Sequence, residues 1–172
     1  MAAADLERLR QISGRTYTQD GNRAPILTAD ELENLSIFRG TLTQSERAVI
    51  ANHAAVSARM LSQLPFSRPL ARVPEFAGGH HEKLDGNGYP AGLTAESLPL
   101  QSRILAVADV FEALTAADRP YRKPMRLSDV LRILHAMVDS GELDGRIVDL
   151  LESGGVVRAY AEAELGEDQI DL

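Results

Sequence analysis

The chain has no cysteine and no tryptophan. No disulfide can form and no thiolate can hold zinc; that absence fits a reducing cytoplasm. No apolar run approaches the roughly 20 residues needed to span a bilayer. The opening MAAADLERLRQ lacks the apolar core of a signal peptide. A cytoplasmic chain with no membrane span is therefore the expectation. Positive charge is also scarce: 18 Lys and Arg against 25 Asp and Glu give a formal net charge of −7. Duplex DNA or long RNA needs a broad basic field, so DNA is excluded as a partner. A small anion can still meet local positive charge, and Arg119-Pro120-Tyr121-Arg122-Lys123 supplies it.

What is present is globular: 172 residues, 44% of them apolar, fit one domain with a real core. Most of the chain reads as helix. Thr43-Gln44-Ser45-Glu46 has the form of a capping box, and behind it ERAVIANHAAVSARMLSQL runs to Pro65. Val49, Ile50, Val56, Met60, Leu61 and Leu64 give that helix an apolar face. A shorter helix is expected from about Pro69 to His81, then an irregular loop from Glu82 to Pro99 rich in glycine and proline. Pro99 to Ala117 reads as the next helix, with Ile104, Val107, Phe111 and Leu114 on one stripe. Ser128 is placed to cap a helix through Val138, and two short helices follow, separated by Gly154-Gly155. The first forty residues are less regular. Asp20-Gly21-Asn22 predicts a tight turn with Tyr17 and Arg23 flanking a small hairpin, and Thr28 caps a helix through Leu35. The fold class is all-α.

The most informative stretch is HHEKLDGNGYPAGL, His80 to Leu93. Neutral imidazole is a common transition-metal ligand, and a metal can hydrolyse phosphate esters by activating a water. Glycine lets a backbone approach a ligand closely. Two histidines ending a helix before a surface turn is the plainer alternative. Only four histidines exist: His53, His80, His81 and His135. His53, close to an apolar face in mid-helix, is either a ligand or a satisfied core residue. Asp109 lies in the apolar helix ILAVADVFEAL, where an unpaired carboxylate is costly. It is either a ligand or the partner of an arginine such as Arg103 or Arg119. Lys83 is either a solvated lysine or a phosphate contact or loop anchor. Glu82 and Glu112 could orient imidazoles by accepting their free N–H.

The segment resembles the HD-GYP family of metal-dependent phosphohydrolases, known as cyclic di-GMP phosphodiesterases. The resemblance rests on His80-His81-Glu82-Lys83, Asp85-Gly86-Asn87-Gly88-Tyr89-Pro90 and Gly92-Leu93. It continues through Arg103-Ile104-Leu105, Ala108 to Thr115 and Asp118-Arg119-Pro120-Tyr121. It runs from about Leu42 to the C-terminus and is densest between Pro74 and Lys123. It divides the chain into an irregular segment, 1–40, and the C-terminal part of an HD-GYP domain, 41–172, an HD-like helical bundle. It implies metal ligation by His53, His80, His81 and Asp109, with catalytic roles for Asp109 and Lys83. It also implies substrate contacts by Lys83, Gly88, Tyr89 and Pro90, and phosphate contacts by Arg119, Arg122 and Lys123. His135 matches no ligand position. Iron or manganese is the metal implied, a cyclic dinucleotide the ligand, and linear pGpG or GMP the product.

The family takes its first two letters from an adjacent His-Asp pair, and this chain contains no His-Asp dipeptide. In the family the aspartate bridges two metals. The expectation is therefore at most one ion here and impaired hydrolysis, in a chain that is either a front-truncated member or a degenerate domain. The rival class is a non-catalytic module that senses the nucleotide, or binds a diguanylate cyclase or other signalling protein through the Gly-Tyr-Pro loop. A helical phosphohydrolase of mononucleotides is a third reading, disfavoured by that loop.

Overall fold

Two capping boxes set the starts of the second and third helices. The Thr28 hydroxyl accepts from Glu31 N while Glu31 Oε2 accepts from Thr28 N. Thr43 and Glu46 repeat the exchange at 2.8 and 3.2 Å. Each box satisfies two amides that a helix start would otherwise leave unpaired. These features come from a computed structural model, which describes residues 3–38, 40–116 and 124–172. The chain forms two compact units, 1–51 and 52–172.

The first unit is more regular than its sequence suggests. Helix α1 spans Ala3–Ser13, where the good helix formers of AADLERLRQ outweigh the lack of a clear apolar face. Strands β1, Thr16–Gln19, and β2, Asn22–Pro25, form the expected antiparallel hairpin. Its turn residues Asp20 and Gly21 have φ of 52° and 80°, the left-handed pair that a two-residue hairpin requires. Helices α2, Ala29–Leu35, and α3, Gln44–Ala51, follow the two boxes.

The second unit opens with α4, His53–Leu61. The single long helix expected behind Thr43 is interrupted at Asn52, so His53 begins a helix rather than lying inside one. Val49, Ile50, Met60 and Leu64 are exposed while Val56 and Leu61 are half-buried, so the expected apolar face is only partly covered. A 3-10 turn at Arg68–Leu70 and helix α5, Val73–Gly78, replace the helix expected through His81, and the histidine pair lies just past its end. Helix α6, Leu100–Thr115, is the central element. Helices α7, Leu127–Asp139, α8, Gly145–Ser153, and α9, Val156–Glu164, pack around it. Their core holds Val107, Phe111, Leu127, Val130, Leu134, Val148 and Val157. Leu114 joins it, but Ile104 is 47% exposed and leaves the predicted stripe. Gly155, with φ of 74°, makes the break between α8 and α9.

Ser128 does not cap α7, which begins one residue earlier. Its amide and hydroxyl instead donate to Asp171 at 3.0 and 2.7 Å, tying the C-terminal tail to the helix start. Buried Gln169 adds a second tie, donating to the carbonyls of Thr115 and Met125. Among the described residues no helix is long and apolar enough to cross a membrane.

Candidate metal centre

Close packing of α5 on α4 brings the histidines together. A Cβ at Gly78 would lie 2.8 Å from the Ala58 Cβ, so only glycine allows this approach. Ser102, fully buried on α6, donates to the Phe76 carbonyl at 3.1 Å and fixes α5 from the other side. The chain leaving α5 then presents His80 and His81 towards His53 at the start of α4.

The three rings converge on one point. His53 Nε2 lies 3.3 Å from His80 Nε2 and 3.1 Å from His81 Nε2. A metal–nitrogen distance of about 2.1 Å puts neighbouring ligand nitrogens of a tetrahedral or octahedral ion about 3.0–3.4 Å apart. Both spacings from His53 fall in this range, and the three ligand nitrogens lie within 4.8 Å of one another, a set that could hold one divalent ion. His80 is held by its other nitrogen, Nδ1, which lies 2.6 Å from the Ala77 carbonyl. That contact fixes the tautomer with Nε2 free to bind, the usual device behind a ligating histidine. Burial, and then the His80 ring, pull the His81 imidazole below its ordinary value; Asp109 opposes this and His53 adds to it. The neutral form is the one that binds metal.

Asp109 stands beside this cluster, with Oδ2 3.8 Å from His81 Nδ1. Its side chain is 43% exposed, so the burial assumed from its apolar helix does not hold. Arg103 is not its partner. The Arg103 guanidinium donates to Asp144 at 3.0 Å and to the carbonyls of Leu98 and Ala95. A groove of about 510 Å³ borders the cluster, lined by Ser57, Leu61, His80, Leu105, Asp109 and Glu112. A larger apolar groove, about 700 Å³ between α6, α8 and α9, has neither histidine nor carboxylate in its lining.

The Gly-Tyr-Pro loop closes the other side. The Tyr89 ring lies against His81 with centroids 4.8 Å apart, and Tyr89 N donates to the His81 carbonyl at 3.2 Å. Burial, helped by the Asp109 charge, raises the Tyr89 phenol above its ordinary value, so the ring is neutral. The Tyr89–Pro90 peptide is cis. A family model described as "HD domain" matches residues 26–147. The chain belongs to the HD domain family. Its Gly-Tyr-Pro loop and the names of its relatives put it in the HD-GYP branch. It is 46% identical over 112 residues to the "3'3'-cGAMP-specific phosphodiesterase 1" of Vibrio cholerae, 65% of this chain and 25% of that protein. It is 41% identical over 181 residues to the "Cyclic di-GMP phosphodiesterase response regulator RpfG" of Xanthomonas campestris, 96% of this chain and 46% of that protein. A "Cyclic di-GMP phosphodiesterase" of Thermotoga maritima is 36% identical over 105 residues, 60% of this chain and 27% of that protein. The HD-GYP chain thus spans between a quarter and a half of the length of these relatives.

Lys83 does not reach the histidines; its Nζ is 2.5 Å from Glu142 Oε2. Gly88 packs closely on the backbone of Glu82 and Lys83. Glu82 bonds no imidazole: it is 2% exposed and accepts from the amides of Ala91 and Leu93. His135 is remote from the cluster and pairs with Glu152 at 3.0 Å. Arg119, Arg122 and Lys123 lie outside the described residues. The sequence reading missed the Ala77 carbonyl and Glu142. Neither carries a local signal, since one acts through its backbone and the other across the unit.

Proposed function

We propose that this chain carries the metal-binding and loop elements of a metal-dependent HD-GYP phosphodiesterase whose substrate is a cyclic dinucleotide, cyclic di-GMP in the first instance. The observation that carries the reading is the convergence of the His53, His80 and His81 Nε2 atoms beside the Tyr89 ring. His53, His80 and His81 would hold one divalent transition metal, iron or manganese. Bound there, such an ion supplies Lewis-acid polarisation of a phosphoryl oxygen and acidifies a water. The chain's own residues orient and bind. Ala77 fixes the His80 tautomer, and Asp109 adds the negative charge beside His81. Tyr89, Gly88 and Pro90 wall the site on the nucleotide side. Lys83, paired with Glu142, would anchor the loop or meet a phosphate. Arg119, Arg122 and Lys123 are assigned to the phosphates by the family resemblance and by their charge, since guanidinium suits bidentate contact.

Hydrolysis by this chain is expected to be impaired. Three nitrogens provide for one ion, and the His-Asp pair that would support a bridged second ion is absent from the sequence. That absence favours the second reading, a nucleotide-sensing or protein-interaction module built on the same loop. The test incubates the full chain with cyclic di-GMP and Mn²⁺ or Fe²⁺, following binding by calorimetry and linear product by chromatography. Binding with little turnover is expected. Robust multiple turnover, lost in His81→Ala and Asp109→Ala, would overturn the impairment. A chain that binds metal but no cyclic dinucleotide would sink the nucleotide reading.

A further inference from the structure

Glu82 is a buried carboxylate that neither the metal cluster nor any ion pair described above uses. Its side chain sits under the Gly-Tyr-Pro loop. Oε1 accepts from Ala91 N at 2.6 Å and Oε2 from Leu93 N at 2.9 Å. Each oxygen takes one amide, so a single carboxylate clips two alternate residues of the loop. A carboxyl group this buried is costly unless its oxygens are bonded, and both oxygens accept here. The loop is therefore fixed on the residue directly after the histidine pair. The contacts on the near side complete the clip: Gly88 rests on the Glu82–Lys83 backbone, and Tyr89 N bonds to the His81 carbonyl.

We propose that Glu82 is a positioning residue: it holds the Gly-Tyr-Pro loop in register with the histidine pair, and so sets the Tyr89 ring against His81. It touches neither the metal nor the nucleotide. Its effect is transmitted because its backbone continues from His81 while its carboxylate grips the loop two residues beyond Tyr89. An amide in place of the carboxylate cannot do this. Gln has one acceptor oxygen, and its NH₂ would face the second loop amide, donor against donor. The nucleotide consequence rests on the function proposed above, but the loop geometry does not.

The test compares the full chain with Glu82→Gln, without and with Mn²⁺. Hydrogen exchange at Ala91 and Leu93 should quicken by about tenfold or more, with α6 and α7 unchanged. The His81 ring-proton resonances should move in the same direction as in Tyr89→Leu, while those of His135 stay in place. Mn²⁺ affinity should stay within about threefold, and cyclic di-GMP, used as the probe, should bind about tenfold more weakly. Unchanged loop exchange and unchanged His81 resonances would overturn the proposal. So would released amides with wild-type nucleotide affinity. If the wild-type chain binds no cyclic di-GMP, the nucleotide reading fails, and exchange and His81 resonances alone decide on Glu82. Should Glu82→Gln not fold, Glu82→Asp, which draws the charge back by one methylene, should give smaller changes of the same sign. Loss of fold in both would make Glu82 a determinant of folding and overturn the positioning role.

Discussion

Asp109 Oδ2 lies 3.8 Å from His81 Nδ1, on the side of the ring opposite the nitrogen that faces His53. The distance exceeds a hydrogen bond, so the carboxylate acts on the ring through charge. Negative charge behind a ligating imidazole raises its basicity, and such partners typically change metal affinity by about 10–100-fold. Asp109→Asn should weaken Mn²⁺ binding by about tenfold, at the low end because the side chain is partly solvated. Calorimetric titration at fixed pH checks this; an Asp109→Asn chain as tight as wild type would leave Asp109 no part in metal binding.

The imidazoles themselves should matter more. His80→Ala and His81→Ala each leave two convergent nitrogens, and metal binding should be lost. His135→Ala should bind normally, since His135 pairs with Glu152 and is not one of the three grouped histidines. Metal analysis of wild type after growth in iron or manganese medium should return no more than one ion per chain at this site. Two or more would mean that ligands exist beyond the three nitrogens.

Local signals were legible in the sequence and long-range ones were not. Thr28 and Thr43 announce their helices because a capping box is written within four residues. Asp20-Gly21 announces the hairpin turn for the same reason. The paired His80-His81 is visible as a string, and the family resemblance adds His53 and Asp109. Periodicity gave the right helix but the wrong lining for Ile104, because a repeat reports that a face is apolar and not what covers it. The break at Asn52 was hidden, since Asn costs little more than other helix residues. Glu82 reads as a possible partner of an imidazole, Lys83 as a phosphate contact or loop anchor, and Arg103 as a possible partner of Asp109. Their partners, the loop amides, Glu142 and Asp144, are set by folding over segments that no short motif spans.

Asp144 gives a pH test of the bundle. It caps α8 through the Arg146 amide and receives both guanidinium groups, from Arg146 at 2.8 and 3.1 Å and Arg103 at 3.0 Å. The Arg146 bonds foremost, with Arg103 and against the cost of burial, hold its carboxyl at about 2 rather than 3.8. A depressed carboxyl contributes stability above its unfolded value and loses it as pH falls through its folded value. Asp144→Asn should therefore cost about 2 kcal/mol at pH 7. The gap between mutant and wild type should narrow below about pH 4 and nearly close near pH 2. Denaturant unfolding across that range measures it, and a gap independent of pH would show that the charge is not what stabilises.

Gly88 separates close packing from flexibility as the reason for a glycine in the loop. A Cβ there would fall on Lys83 N and Glu82 Cα, and 2.6 Å from the Glu82 carbonyl carbon. All three are backbone atoms, which cannot swing aside as a side chain would. Gly88→Ala should thus push the loop off the Glu82–Lys83 strand of chain, at about 1–3 kcal/mol, the usual range for overpacking. The displaced loop carries Tyr89 with it, so the ring contact with His81 should be lost while the three histidine nitrogens keep their places. Asn87→Ala is the control: Asn87 is exposed and, among the described residues, its side chain bonds Asp85 within its own turn, so it should change stability by less than about 0.5 kcal/mol. Thermal unfolding and Mn²⁺ titration of both variants decide the matter. The expected pattern is a lowered melting temperature in Gly88→Ala alone, with Mn²⁺ binding intact in both. A Gly88→Ala chain as stable as wild type would mean that the loop can lift from Glu82 at no cost, and the rigid wall beside His81 would have to be given up.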